Sequence, residues 1–144
     1  MPEKQTIERA REDAREGKSP STQAGEFVRE EFDHVREGKH GARSPQQAIA
    51  IGLSKARRAG VKLGAPKGSA SLRKKAAQDS AAGKKHRQTS RTRSRAVSGA
   101  LKREPKSSAS HGAISKQAKK SAAERGPHAH RAAAMKAART RKAA

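Results

Sequence analysis

The chain has 144 residues, with 35 Lys and Arg against 13 Asp and Glu and a formal net charge of +22. It contains no Cys, Trp or Tyr and two Phe, which excludes a disulfide framework, a thiolate metal site and a large aromatic core. No apolar run approaches the roughly 20 residues that a membrane span needs. The N-terminal residues are charged and lack the apolar stretch of a signal peptide. We therefore expect no membrane partner and a cytoplasmic location.

The charge changes sign along the chain. Residues 1–37 carry ten of the thirteen acids and a net charge of −3, whereas residues 38–144 carry 28 Lys and Arg, three acids and a net charge of +25. A charge of this size governs association and non-specific binding rather than fold. The expected partner is a polyphosphate, and nucleic acid is the commonest one.

Residues 1–63 hold nearly all of the large apolar side chains and are predicted to form three helices. The first runs from Pro2 to Glu16, the second from Ser19 to Gly38 and the third from Ser44 to Gly60. Ser-Pro opens the second and third helices, a hydroxyl cap followed by proline, and a glycine ends each of the three. The pattern predicts an all-α fold that begins with a small three-helix module.

Apolar residues at helical spacing predict one buried face on each of the second and third helices. They are Ala24, Phe27, Val28, Phe32 and Val35 on the second helix, and Ala48, Ile49, Ile51, Leu53 and Ala56 on the third. Gln47, three positions after Ser44, predicts a capping box at the third helix. So few large side chains predict a module of marginal stability.

Residues 64–144 form a basic tail of Ala, Ser, Lys and Arg, joined to the module by a predicted hinge at residues 64–68. Four stretches are rich enough in Ala to become helical: residues 71–82, 93–103, 114–125 and 130–142. The predicted breaks between them lie at Gly83, Pro105, Gly112 and Gly126-Pro127. Short helices are marginal in water and like charges weaken them further. The tail is therefore predicted to be largely disordered and to fold on nucleic acid.

The cations of residues 38–144 are the candidate phosphate ligands. Their binding would be electrostatic and largely independent of base sequence. The absence of Tyr and Trp, and of Phe from residues 64–144, argues against single-strand recognition by aromatic stacking and favours a duplex. Double-stranded DNA is the favoured partner over RNA. The candidate nucleic-acid-binding residues are Lys39, His40, Arg43, Lys55, Arg57, Arg58, Lys62, Arg73, Lys74, Lys75, Lys84, Lys85, Arg87, Arg91, Arg93, Arg95, Lys102, Arg103, Lys116, Lys119, Lys120, Arg131, Lys136, Arg139, Arg141 and Lys142.

The third helix is the candidate for an ordered contact with nucleic acid. Lys39, His40 and Arg43 precede its N-terminus, where free backbone N–H groups favour anions, and residues 55–58 add a cationic end. Residues 38–41 also match the G-x-x-G loop of KH domains. That fold needs strands, and no strand pattern is found, so a helix end followed by a loop is the alternative.

No catalytic or metal-binding motif is recognised. The six histidines form no evident ligand set, and His128 and His130 lack a nearby acid or Cys. The acids of residues 26–37 are interpreted as solvated helical ion pairs. Without a phosphate-binding loop, nucleophile elbow or zinc-protease motif, we expect no enzyme, no metal and no cofactor.

The stretch GKHGARSPQQAIAIGLSKARRAG, residues 38–60, resembles the core motif of a bacterial family of small basic proteins of unknown function. The preceding SPSTQAGEFV, residues 19–28, is similar to that family as well, so the resemblance covers residues 1–63. It implies a bacterial origin and no particular activity. The tail resembles the Ala/Lys/Arg-rich tails of linker histones and bacterial histone-like proteins.

These features predict a non-enzymatic, nucleoid-associated protein that binds DNA by neutralising phosphates. Residues 1–63 would serve self-association or bind a protein partner. Two alternatives remain open at this point. One is an RNA- or ribosome-associated basic factor, and the other is a protein-interaction module with a localising basic tail.

Overall fold

The computed structural model describes residues 2–85 and 89–143, and these residues form six α-helices and no strand. The predicted all-α class is therefore confirmed for the described part of the chain. The elements are α1 (Lys4–Arg15), α2 (Pro20–Glu37), α3 (Pro45–Arg58), α4 (Ala70–Lys85), α5 (Arg91–Arg103), a 3₁₀ turn (Ser107–Ala109) and α6 (His111–Ala143).

The helix boundaries of α2 and α3 follow from the Ser-Pro pairs that open them. Ser19 Oγ accepts a hydrogen bond from the Thr22 amide at 3.4 Å, and Ser44 Oγ accepts one from the Gln47 amide at 3.2 Å. Each bond satisfies an amide of the first turn that has no intrahelical acceptor. At the other end of α2, Gly38 takes a left-handed conformation with φ of 78°. The predicted starts and the glycine end are confirmed.

The core lies where α2 packs against both α1 and α3. Phe27 of α2 is fully buried, and it clusters with three buried alanines, Ala10, Ala24 and Ala56. The partly buried side chains around this cluster are Ile7, Leu53, Val61 and Leu63. A core made largely of alanine requires the helices to approach closely, because small side chains fill little space between helix axes.

The closest approach of α2 and α3 occurs at Gly52. A Cβ atom placed on Gly52 would lie 2.7 Å from the Val28 Cα and 3.0 Å from the Phe27 carbonyl oxygen. Both neighbours are backbone atoms, which cannot move away without shifting the helix. Gly52 therefore fixes the distance between these two helices.

The first part of the tail is ordered against the module. Helix α4 packs on α3 and buries Ala76 and Asp79. Gly83, predicted as a break, lies inside α4, where an added Cβ would come within 2.5 Å of the Arg58 carbonyl oxygen. The three-helix description is therefore inexact, because a fourth helix joins the packed unit.

The predicted disorder of residues 64–144 is wrong for the described part of the tail, which forms α4, α5 and α6. Ala, Lys and Arg are all strong helix formers, and in runs of 13 to 33 residues this propensity outweighs repulsion between neighbouring cations. The predicted helix break at Gly126-Pro127 is confirmed, since Gly126 has φ of 73° and ψ of 170° and divides α6 into two helical segments. Gly112 lies within α6 and does not interrupt it.

The contacts divide the chain into two compact units, Met1–Ala109 and Ser110–Ala144. The first contains α1 to α5 and the 3₁₀ turn, which packs on α2 and α3. The second consists of α6. Within the first unit, the end of α5 is held by the loop between α2 and α3, because the Gly41 amide donates to the Leu101 carbonyl at 2.8 Å.

Candidate nucleic-acid interface

Lys55, a candidate phosphate ligand on α3, is turned toward α2. Its Nζ donates a hydrogen bond to Glu31 Oε1 and lies 3.6 Å from Glu30 Oε1. Glu31 is fully buried and Glu30 is 4% exposed. A buried carboxylate needs a compensating charge, so this ion pair is part of the α2–α3 packing. Lys55 can bind phosphate only if the pair opens.

Two further candidates, Arg58 and Lys75, converge on Asp79 of α4. Asp79 Oδ1 accepts from Arg58 Nη2 at 2.8 Å and from Lys75 Nζ at 2.6 Å, and Oδ2 accepts from Ser54 Oγ at 2.8 Å. Burial raises the pKa of the Asp79 carboxyl, but the hydrogen bonds from Lys75, Arg58 and Ser54 outweigh it and place the pKa below its ordinary value. Asp79 thus stays ionised and holds α4 on α3.

Lys39 is also engaged by carboxylates. Its Nζ lies 2.9 Å from Glu37 Oε2 and 3.0 Å from Glu3 Oε1. The hydrogen bonds to Glu37 and Glu3 raise the pKa of Lys39. The hydrogen bonds that Glu3 accepts from His34 and Lys39 lower the pKa of the Glu3 carboxyl. All of these groups except His34 are half-exposed, so this network is solvated and worth little in stability.

The backbone N–H groups that were expected to attract an anion ahead of α3 donate within the chain instead. A phosphate would have to displace these acceptors. The donors and acceptors are Gly41 N–H to the Leu101 carbonyl, Ala42 N–H to the Pro105 carbonyl at 3.0 Å, Arg43 N–H to Gln47 Oε1 at 2.6 Å and Gln47 N–H to Ser44 Oγ.

The cations of α5 point into solvent. Arg91, Arg95 and Lys102 are spaced so that they share one face of the helix, and all three are exposed. Arg93 and Arg103 are exposed as well. Within residues 2–85 and 89–143, no carboxylate lies within 4.0 Å of any of these five side chains. We call Arg91, Arg95 and Lys102 the α5 stripe.

Helices α4 and α6 carry further exposed cations. On α6, Lys116, Lys119 and Lys120 lie on one face, and the Lys120 Nζ is 4.0 Å from Glu124 Oε1, with both side chains well exposed. The other exposed candidates, none of which has a carboxylate within 4.0 Å in the described part of the chain, are Arg43, Lys62, Arg73, Lys74, Lys84, Lys85, Arg131, Lys136, Arg139, Arg141 and Lys142. Arg57 is half-buried, and Arg87 lies outside the described residues.

Comparisons with protein-family models, with curated proteins and with solved structures find no match to this chain. Among the residues that the structure describes, no helix is both long enough and apolar enough to cross a bilayer.

The structure thus separates two groups of candidate cations that the sequence treats alike. Lys39, Lys55, Arg58 and Lys75 are paired with carboxylates, whereas the α5 stripe and most of the α4 and α6 cations are not. One signal in the sequence could have revealed part of this division. Asp79 is one of only three acids after residue 37, and it stands four positions after Lys75, the spacing of a helical ion pair.

Proposed function

We propose that this protein is a non-enzymatic, largely sequence-independent DNA-binding protein that neutralises the phosphates of duplex DNA. The observation that supports this most is the set of solvent-facing cations on α4, α5 and α6 that have no carboxylate partner in the described residues. Each phosphate contact releases condensed counterions, which drives binding without reference to base sequence. Helices that are already formed present these cations without a cost for ordering the backbone.

Three of the acids that could compete with DNA for these cations are buried within the fold. Glu30 and Glu31 are buried beside Lys55, and Asp79 is buried beside Arg58 and Lys75. These three acids are therefore not available to the exposed cations of α5 and α6. Both Phe27 and Phe32 are buried, so neither offers a platform on which an unpaired base could stack. This favours binding to a duplex through its phosphate backbone.

The test is a titration of the full chain with a fluorescent DNA duplex over a series of salt concentrations. We expect the logarithm of the binding constant to fall linearly with the logarithm of salt concentration. The variant R91Q/R95Q/K102Q removes the α5 stripe, and its slope should be smaller by about 3, since each lost phosphate contact reduces the slope by about 1.

The matched control is R11Q/R15Q/R29Q, which removes three exposed arginines from α1 and α2. Its slope should change by less than about 1, because these residues lie in the acid-rich part of the chain. Equal losses in the two variants would show that only total charge matters and would overturn the assigned interface. Tighter binding to a matched RNA duplex by more than about tenfold would favour the RNA-associated alternative instead.

A further inference from the structure

A cluster at the junction of α2 and the following loop brings together the buried Glu31 and the partly buried His34 and His40. Their potential ligand atoms all lie within 4.8 Å of one another. Glu31 and His34 are three residues apart on α2 and so share a face of the helix. His40 reaches the same point from the loop, with its Nε2 at 3.5 Å from Glu31 Oε2.

The outer nitrogen of each histidine has an acceptor that fixes the ring. His40 Nδ1 lies 3.0 Å from the Gly41 carbonyl oxygen, which can only accept a hydrogen bond. His34 Nε2 lies 3.0 Å from the Glu3 carboxylate. Each outer nitrogen therefore donates, and a neutral ring then carries its lone pair on the inner nitrogen, His40 Nε2 or His34 Nδ1.

In the neutral form of each ring, the lone pair of the inner nitrogen therefore faces the Glu31 carboxylate. His40 Nε2 points toward Glu31 Oε2, a buried atom that has no hydrogen-bond partner among the described residues. His34 Nδ1 lies 3.8 Å from Glu31 Oε1. The Glu31 side chain is 1% exposed. Two opposed acceptors repel each other unless a proton or a metal cation lies between them.

The charge of the surrounding network can accommodate a cation of charge +2 at this point. Four carboxylates and two ammonium groups pair here, which leaves two negative charges in excess when both histidines are neutral. The carboxylates are Glu3, Glu30, Glu31 and Glu37, and the ammonium groups are Lys39 and Lys55. Lys55 bonds to Glu31 Oε1, so it leaves Oε2 available as a ligand.

We propose that Glu31, His34 and His40 bind a divalent transition-metal ion. Two imidazole nitrogens with one carboxylate oxygen suit Zn²⁺ and its first-row neighbours, whereas Mg²⁺ and Ca²⁺ prefer oxygen ligands throughout. Glu3 and the Gly41 carbonyl act as the outer partners that orient metal-bound histidines. The ion would replace the missing positive charge and tie α2 to the loop that leads into α3.

The experiment measures Zn²⁺ binding to the untagged full chain by competition with a chromophoric chelator. The variant H86Q/H111Q/H128Q/H130Q keeps only the two clustered histidines and should bind one Zn²⁺ as tightly as the wild type. Replacing His34 or His40 by Gln should weaken binding by at least tenfold. Glu3→Gln, which among the three proposed ligands contacts only the outer nitrogen of His34, should weaken it by about tenfold.

The proposal would be overturned if the wild type did not bind Zn²⁺ tightly, or if H86Q/H111Q/H128Q/H130Q, the variant with two histidines, lost tight binding. It would also be overturned if tight binding survived in both His34→Gln and His40→Gln. A second measurement does not depend on altering the cluster. In the variant with two histidines, the side-chain ¹⁵N resonances of His34 Nδ1 and His40 Nε2 should shift on adding one equivalent of Zn²⁺. Unshifted inner nitrogens would also show that the metal does not bind there.

Discussion

Asp79 Oδ1 accepts hydrogen bonds from both Nε and Nη2 of Arg58, at 3.0 and 2.8 Å. Asp79 is 3% exposed, and it lies in a part of the sequence that is otherwise almost free of acids. This one buried acid therefore binds Arg58 and Lys75 into the fold, although both side chains remain about half exposed. The contacts of Asp79 with Arg58 and Ser54 also explain why α4, the first helix of the tail, packs against α3.

We expect Asp79→Asn to release α4 from α3. The amide retains the shape of the side chain but loses the charge that Arg58 and Lys75 neutralise. Hydrogen bonds to charged groups contribute about 1.5–3 kcal/mol, and both cations can hydrate when freed, so a loss of about 1–3 kcal/mol is expected. Urea unfolding followed by circular dichroism measures this loss, and hydrogen exchange should show faster exchange of α4 amides.

Glu124→Gln is the matched control for this variant, because it removes one negative charge from the tail at a solvent-exposed pair. Its distance to Lys120 is 4.0 Å and both side chains are about two-thirds exposed. Its stability should change by less than about 0.5 kcal/mol. If Glu124→Gln and Asp79→Asn had equal effects, overall charge rather than the Asp79 contacts would account for the loss.

The contribution of Asp79 should depend on pH in a defined direction. The folded pKa lies below the usual value, because the hydrogen bonds from Lys75, Arg58 and Ser54 outweigh burial. The stabilisation is then complete above the unfolded pKa of about 3.9 and is lost as the pH falls through the folded pKa. The difference in unfolding free energy between wild type and Asp79→Asn should stay constant from about pH 7 to 5 and shrink below about pH 4. A difference that grows on acidification would contradict this.

Paired and unpaired cations should also differ in DNA binding. The variant K74Q/K84Q removes two exposed side chains without carboxylate partners, and R58Q/K75Q removes two that are bonded to Asp79. The first should reduce the salt slope by about 2 with little change in stability, whereas the second should change the slope less and lower stability. If the two variants reduced the salt slope equally, DNA would have to open the ion pairs of Asp79 on binding.

The sequence predicts local structure better than it predicts which charges meet. Ser44 and Gly38 mark helix ends because capping depends on a few adjacent residues. The prediction of a break at Gly83 is wrong, because a glycine inside a helix cannot be told from a glycine that ends one by sequence alone. The reason for Gly83 is the close approach of the Arg58 carbonyl, which only the fold reveals. The pairing of Lys55 with Glu31 depends on two helices meeting in space, and no short-range pattern contains that information.

Helix content is a further point on which the structure differs from the sequence prediction. Helices make up about three-quarters of the residues that the structure describes. Far-UV circular dichroism of the free protein should therefore show a strongly helical spectrum, and saturating DNA should change its amplitude by less than about a tenth. A largely unfolded tail that gains helix on DNA would give a much larger increase.

The close approach of α2 and α3 can be tested with two glycines. Gly52→Ala would place a Cβ 2.7 Å from the Val28 Cα, so the helices must separate, and we expect a loss of about 1–3 kcal/mol. Gly25→Ala is the control, since Gly25 lies in α2 with no atom within 4 Å of an added Cβ. It should stabilise the protein by about 0.5–1 kcal/mol, because alanine is the better helix former. Urea unfolding of both variants gives the comparison. If Gly52→Ala also stabilised the chain, helix propensity rather than interhelical distance would govern this position.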